Sequence, residues 1–205
     1  HQLLVDPTKN ILVVSASKQR ADDFSTFTLR LIAEMEILQH LKPGDNQRNS
    51  KIAFDVAPAP ASHAPSVTSK GITSQITGSR ADLIIADDVE SLNNSATQMM
   101  RDKLAGQVQE FDAVLKPNGH VIYLGTPQTE QSLYNELPER GYDVRIWPAR
   151  MPTKKQITGY GSRIAPMILG LDLEETKAID PKRFNEFDLM EREASYSRSG
   201  FALQF

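Results

Sequence analysis

Short apolar runs alternate along the chain with stretches whose apolar residues recur at helical spacing. Ile11-Leu-Val-Val-Ser-Ala16 is rich in β-branched residues and predicts a strand, and Ser17 to Leu41 predicts a helix with Phe24, Phe27, Leu29, Leu31, Ile32, Met35 and Leu38 on its apolar face. Pro43-Gly44 stops that helix. Residues 51–56 alternate like a half-buried strand, and the proline-bearing Ala57 to Pro65 cannot continue it. Val67 to Ile76 predicts an extended pair about Gly71. Leu83 to Asp88 predicts a buried strand, and Asn94 to Leu115 a helix capped by Asn94 or Ser95. Val121-Ile-Tyr-Leu124 predicts another strand, Thr129 to Leu137 a helix, and Tyr142 to Trp147 a further strand. Beyond Pro148 the pattern weakens into a tail with a charged helix over Arg183 to Tyr196.

Strand-then-helix order with continuous apolar strands implies an α/β fold, a mostly parallel sheet with helices on both faces. At 205 residues the chain suffices for one substantial α/β domain, or for one domain plus a small appendage. No apolar run approaches the roughly 20 residues of a membrane-spanning helix, and the N-terminus lacks a basic-then-apolar leader, so an intracellular protein is expected. The absence of cysteine excludes disulfides, zinc fingers and cysteine nucleophiles. The histidines, at 1, 40, 63 and 120, are too scattered to suggest a metal centre. With a net charge of −3 there is no global basic field, so any contact with nucleic acid must be local.

Candidate chemistry gathers at strand ends. In a parallel α/β sheet the carboxyl ends of the strands face the ligand crevice. Leu83-Ile-Ile-Ala-Asp87-Asp88 therefore places two adjacent carboxylates there. Like charges side by side are costly unless a cation or hydrogen-bond donors share the site. Four apolar residues followed by two acids is the pattern of a Walker B strand, whose first acid holds Mg²⁺ and whose next polarises the water that attacks a γ-phosphate. A strand ending in an aspartate-rich turn is the simpler alternative. Val121-Ile-Tyr-Leu-Gly125-Thr126-Pro127 supplies a second polar tip, and Ser15 to Lys18 a third, which also reads as a helix cap by Ser15 or Ser17. Gly71 to Arg80 mimics a phosphate loop but fails. Its glycines are too far apart, arginine stands for lysine and a strand follows. No G-x-x-x-x-G-K-[ST] occurs in the 205 residues.

The blocks VSASKQRAD (14–22), GSRADLIIADDVE (78–90), NNSAT (93–97), VQEFDAVLKP (108–117), VIYLGTPQTEQSLY (121–134), IWPA (146–149) and GFALQF (200–205) together resemble the ATPase domain of the large terminase subunit of T7-like tailed phages. The resemblance implies a RecA-like motor fold of the ASCE P-loop NTPase type. Residues 1–150 would form the ATPase core without its first βα unit, and 151–205 a linker or lid subdomain. The expected function is to couple hydrolysis of ATP, with Mg²⁺, to translocation of double-stranded DNA into a procapsid. A nuclease domain would follow beyond Phe205.

By the same resemblance Asp87 holds Mg²⁺, Asp88 or Glu90 is the catalytic carboxylate, and Gly125 and Thr126 form the coupling motif beside the nucleotide. Arg80 is a candidate trans finger, with pairing to Asp82 or Asp87 as its simpler role. Gln128 and Glu130 are candidate relays. The implied partners are viral DNA, the portal protein, the small terminase subunit and further copies in a ring, a pentamer by family expectation. The implied location is the host cytoplasm, docked transiently on the procapsid. Two other readings stand beside this one: a non-catalytic interaction module with a nucleotide-fold remnant, and a helicase-like ATPase lobe. Without a phosphate loop the 205-residue chain alone is expected to turn over ATP weakly or not at all.

Overall fold

The computed structural model describes residues 1–205, which divide into two compact units, His1–Gly125 and Thr126–Phe205. The division lies ahead of Pro148, where the sequence pattern weakens. In the first unit a short helix α1 (Gln2–Val5) precedes β1 (Ile11–Ser15), α2 (Lys18–Glu34) and a 3₁₀ turn, Glu36–Leu41. Then follow β2 (Ala53–Phe54), β3 (Val67–Gly71), β4 (Ala81–Asp87), α3 (Leu92–Ser95), α4 (Gln98–Val114) and β5 (Leu115–Leu124). The strands form one sheet in the order β2-β3-β1-β4-β5, with β1, β3, β4 and β5 parallel and β2 antiparallel at the edge.

Register explains why the middle strands are apolar throughout. Leu12, Ile84 and Val121 lie side by side, as do Val14, Ala86 and Tyr123, so these residues share one face. On that face α4 contributes the fully buried Phe111, whose ring lies 6.0 Å from that of Tyr123. Val13 points to the opposite face, into a cluster with Leu3, Ile32 of α2, Leu41, Phe54, Val56 and Val67. Helices thus cover both faces, and the mostly parallel α/β architecture read from the sequence is the one observed. Covering is incomplete over the last strand, where Ile122 and Leu124 are about half exposed (45% and 49%).

Several predicted elements differ in detail. The helix expected over Ser17 to Leu41 ends at Glu34, because Met35 turns extended (ψ 119°) before the 3₁₀ turn. Its buried face is Ala21, Asp22, Ser25 and Ile32, while Phe27 is exposed. The expected strand over 51–56 shrinks to Ala53–Phe54. Of the extended pair about Gly71 only the first half is a strand. Gly71 ends it in close quarters, since a Cβ there would stand 3.0 Å from the Lys18 backbone nitrogen.

The helix expected over Asn94 to Leu115 is two helices. Ser91 and Asn94 form a capping box on α3, and Thr97, not Asn94 or Ser95, caps α4 by accepting from the Met100 N–H. β5 begins six residues before Val121, at Leu115 opposite Ala81. Its register then shifts before His120 meets Leu83, and Asn118 adopts a left-handed φ of 62° in that irregularity.

The second unit holds α5 (Leu133–Glu136), α6 (Lys154–Tyr160), α7 (Pro166–Leu169) and α8 (Glu186–Gln204), with 3₁₀ turns after α5 and α6. The strand expected over Tyr142 to Trp147 is not formed. Ile146 makes one bridge to Ile164, and an alternating segment without a ladder partner stays irregular. The predicted charged helix is present but starts at Glu186, capped by Asn185, and kinks at Ser197. Two small clusters hold this unit: Ile164, Ala165 and Ile168 in one, and Ala178, Leu189 and Phe201 in the other. Arg183 and Arg192 both lie over the Phe184 ring.

Candidate active site

The carboxyl ends of β3, β1, β4 and β5 lie together at one edge of the first unit's sheet, because these strands are parallel and in register. Ser15 pairs in register with Gly71 on one side and Asp87 on the other, and Asp87 pairs with Leu124. This edge receives the amino end of α2, whose Ser17 hydroxyl caps the helix by accepting from the Arg20 N–H at 3.2 Å. Of the two sequence readings for Ser15 and Ser17, the cap belongs to Ser17. Ser15 is 1% exposed and its hydroxyl has no hydrogen-bond partner, although it sits beside the acid pair.

Asp87 is the last residue of β4 and makes no ion pair within 4 Å. Burial pushes its carboxyl above the ordinary carboxylate range, the charge of Asp88 adds to the rise, and Arg20 opposes it. Asp88 leaves the strand in a left-handed conformation, φ 45°, which is uncommon outside glycine. Its backbone is pinned from two sides: its N–H donates to the Leu124 carbonyl (2.8 Å) and its carbonyl accepts from the Ala16 N–H (3.1 Å). The Asp88 carboxylate accepts from Arg20 Nη1 at 3.1 Å. Its side chain is 44% exposed, so water reaches it. Glu90, by contrast, is 3% exposed.

Gly125 directly follows β5 at the same sheet edge, while Thr126 opens the second unit, where its carbonyl accepts from Gln128 Nε2 (3.1 Å). Glu130 is engaged through its carbonyl by Asn135 Nδ2. Arg80 is exposed and precedes β4 at the end opposite Asp87, a strand's length of about 20 Å away. Its guanidinium donates to the Ser79 carbonyl. The simpler roles considered for it are not realised, since Asp82 is held instead by Lys116 Nζ (2.8 Å) and the Asn10 N–H (2.7 Å).

Sequence reading missed Arg20, although it lies within a quoted block. Its meeting with Asp88 spans 68 positions, and only the parallel stacking of β1 on β4 brings the two together. It also missed Asp22, which is buried in α2 and accepts from Lys18 Nζ (2.5 Å) and Ser69 Oγ (2.7 Å). Burial alone would raise the Asp22 carboxyl, but these two hydrogen bonds together with the charges of Lys18 and Lys51 outweigh it and hold the group below its ordinary value.

A depressed folded-state value stabilises the fold fully above the unfolded carboxylate value, about 3.9, and that stabilisation is lost as pH falls through the lower folded value. Urea titrations of the chain between pH 6 and pH 2 should therefore show an acid-side loss that Asp22→Asn reduces. At pH 7 the same substitution should cost about 1–3 kcal/mol, the scale for breaking a buried hydrogen-bonded pair.

The donors at the edge suit a hard cation. Mg²⁺ prefers oxygen ligands and commonly takes only one or two protein carboxylates, leaving the remaining positions to water and phosphate. Asp87, free of a cationic partner, and the unpartnered hydroxyl of Ser15 beside it fit that demand. The cluster is no dedicated metal cage, because no group of three acid or histidine side chains converges anywhere in the chain.

No protein-family model matches the chain. Across 98% of its length, however, it is 53% identical to the terminase large subunit of Enterobacteria phage T3. The chain is homologous to part of a terminase large subunit. It spans 36% of that relative's length. The resemblance drawn from the sequence blocks is borne out, and the five-stranded, mostly parallel sheet is consistent with a RecA-like fold. No helix is long and apolar enough to cross a membrane.

Proposed function

We propose that these residues form part of the ATPase motor of a phage terminase large subunit, in which hydrolysis of ATP with Mg²⁺ drives double-stranded DNA into a procapsid. The observation that carries the reading is the acid pair Asp87-Asp88, placed at the carboxyl edge of the sheet beside the tips of β1 and β5, in a chain 53% identical to a terminase large subunit. On this reading Asp87 holds the cation and Asp88 orients the attacking water, a role its solvent access suits better than the burial of Glu90. When bound, Mg²⁺ would neutralise charge on the phosphates.

Gly125 and Thr126 follow β5 and are the proposed coupling segment. Arg80, far from its own acid pair along β4, could serve a nucleotide only on a neighbouring copy, which is the proposed trans role within a ring. The proposed partners are viral DNA, the portal protein, the small terminase subunit and further copies of the chain. The proposed place of action is the host cytoplasm, at the procapsid.

The test is ATP-driven DNA packaging by the full-length protein with Asp87→Ala. Loss of both packaging and Mg²⁺-dependent hydrolysis supports the reading, and packaging at the wild-type rate overturns it. The 205-residue chain alone contains no G-x-x-x-x-G-K-[ST] loop to cradle phosphates. It should therefore show at most about a hundredth of the full-length protein's turnover in a steady-state phosphate-release assay, on the scale by which loss of charge-stabilising donors slows catalysis.

A further inference from the structure

We propose that Arg20 is a positioning residue for Asp88, directing its carboxylate toward the water-activating role and away from the cation at Asp87; this rests on the ATPase reading above. Asp88 is fixed at three points. Two are backbone hydrogen bonds, to Leu124 on β5 and from Ala16 after β1, which hold the residue in its left-handed conformation. Neither bond orients the side chain. The third point is the guanidinium of Arg20, 3.1 Å from Oδ2, which gives the carboxylate its direction.

Arg20 is itself anchored, because its N–H is bound by the Ser17 cap at the start of α2. The neighbouring cation Lys18 is committed to Asp22, and Arg80 lies at the other end of β4. Adjacent carboxylates left to themselves would compete for one cation. The guanidinium separates their tasks: Asp87 stays open to the metal, while Asp88 Oδ2 accepts a charge-assisted hydrogen bond from Arg20 Nη1. Arg20 touches neither metal nor nucleotide on this account and acts only through Asp88.

The experiment compares Arg20→Ala, Arg20→Lys, Asp88→Ala and Arg30→Ala in the full-length protein. Arg30 pairs with Glu34 farther along the same helix and serves as the control. Arg20→Ala should lower kcat at least about tenfold with KM for ATP changed less than about threefold, and Arg20→Lys should recover part of the loss. Binding of a fluorescent ATP analogue should be unchanged in Arg20→Ala. In the nucleotide-free protein the melting shifts of Arg20→Ala and Asp88→Ala should be non-additive in the double variant, because the two side chains share one contact.

A raised KM with unchanged kcat, additive melting shifts, or an Arg20→Ala enzyme as fast as Arg30→Ala would each overturn the proposal. If Asp88→Ala itself turned over normally, the ATPase reading of the acid pair would fail first, and the two failures are thereby distinguished. Arg20 is 64% exposed at its side chain, so its replacement leaves the core intact.

Discussion

Asp88→Ala in the full-length protein should cut steady-state ATP turnover by at least about 10² while leaving nucleotide binding near wild type. The expectation follows from where the two acids stand. Asp87 ends the strand with its carboxyl raised by burial and ready to gain from a bound cation. Asp88 stands one residue beyond it, open to water and turned by a left-handed backbone. On the proposed roles, removing Asp88 would take away the group that orients water and leave the cation's ligand in place, so binding should survive where chemistry does not.

Glu90→Gln separates the competing assignment. A buried carboxylate replaced by its isosteric amide should reduce turnover by less than about tenfold if Asp88 carries the reaction. Phosphate release and fluorescent-nucleotide titration on the same preparations measure both quantities. Turnover lost in Glu90→Gln and retained in Asp88→Ala would reverse the roles.

The largest effect on stability is expected from Phe111→Ala, at about 3–5 kcal/mol in urea denaturation. Phe111 is fully buried on α4 and lies against Tyr123 of β5, the strand that pairs with β4 and carries Gly125 at its end. A domain is stable by only about 5–15 kcal/mol, so one such cavity removes a large share. Because Phe111 lies under the strand pair that sets the Asp88–Leu124 hydrogen bond, the destabilised variant should also lose activity at temperatures well below its melting midpoint. Phe111→Leu, which keeps most of the volume, should be milder in both respects.

Strands β1 and β4 were legible in the sequence because both faces of each are covered, so their residues are apolar without alternation. The acid pair was legible for the complementary reason, since charge directly after such a run can lie only at the strand's end. What the sequence concealed depends on partners distant along the chain. Lys116-Pro117-Asn118-Gly119 has the composition of a turn, yet Leu115 before it already pairs with Ala81 and the four residues form an irregularity within a ladder. Tyr142 to Trp147 alternates as a strand should, but forms no ladder beyond one bridge. Asn94 and Ser95 are good caps in isolation and lost the position to Ser91 and Thr97, which divide the segment in two. Arg20 reads locally as one more surface cation in the first turn of a helix.

The ladder at β5 has one further consequence. Its outer margin is bonded to no other strand, while its inner margin carries all the pairing that sets the register from Ala81 to Leu124. The backbone groups that locate Asp88 therefore close on themselves within β1, β4 and β5. A strand added outside β5 would lengthen the sheet without redrawing the acid pair. In that sense the position of the acid pair is set from the inner side of the sheet, by hydrogen bonds to the tips of β1 and β5.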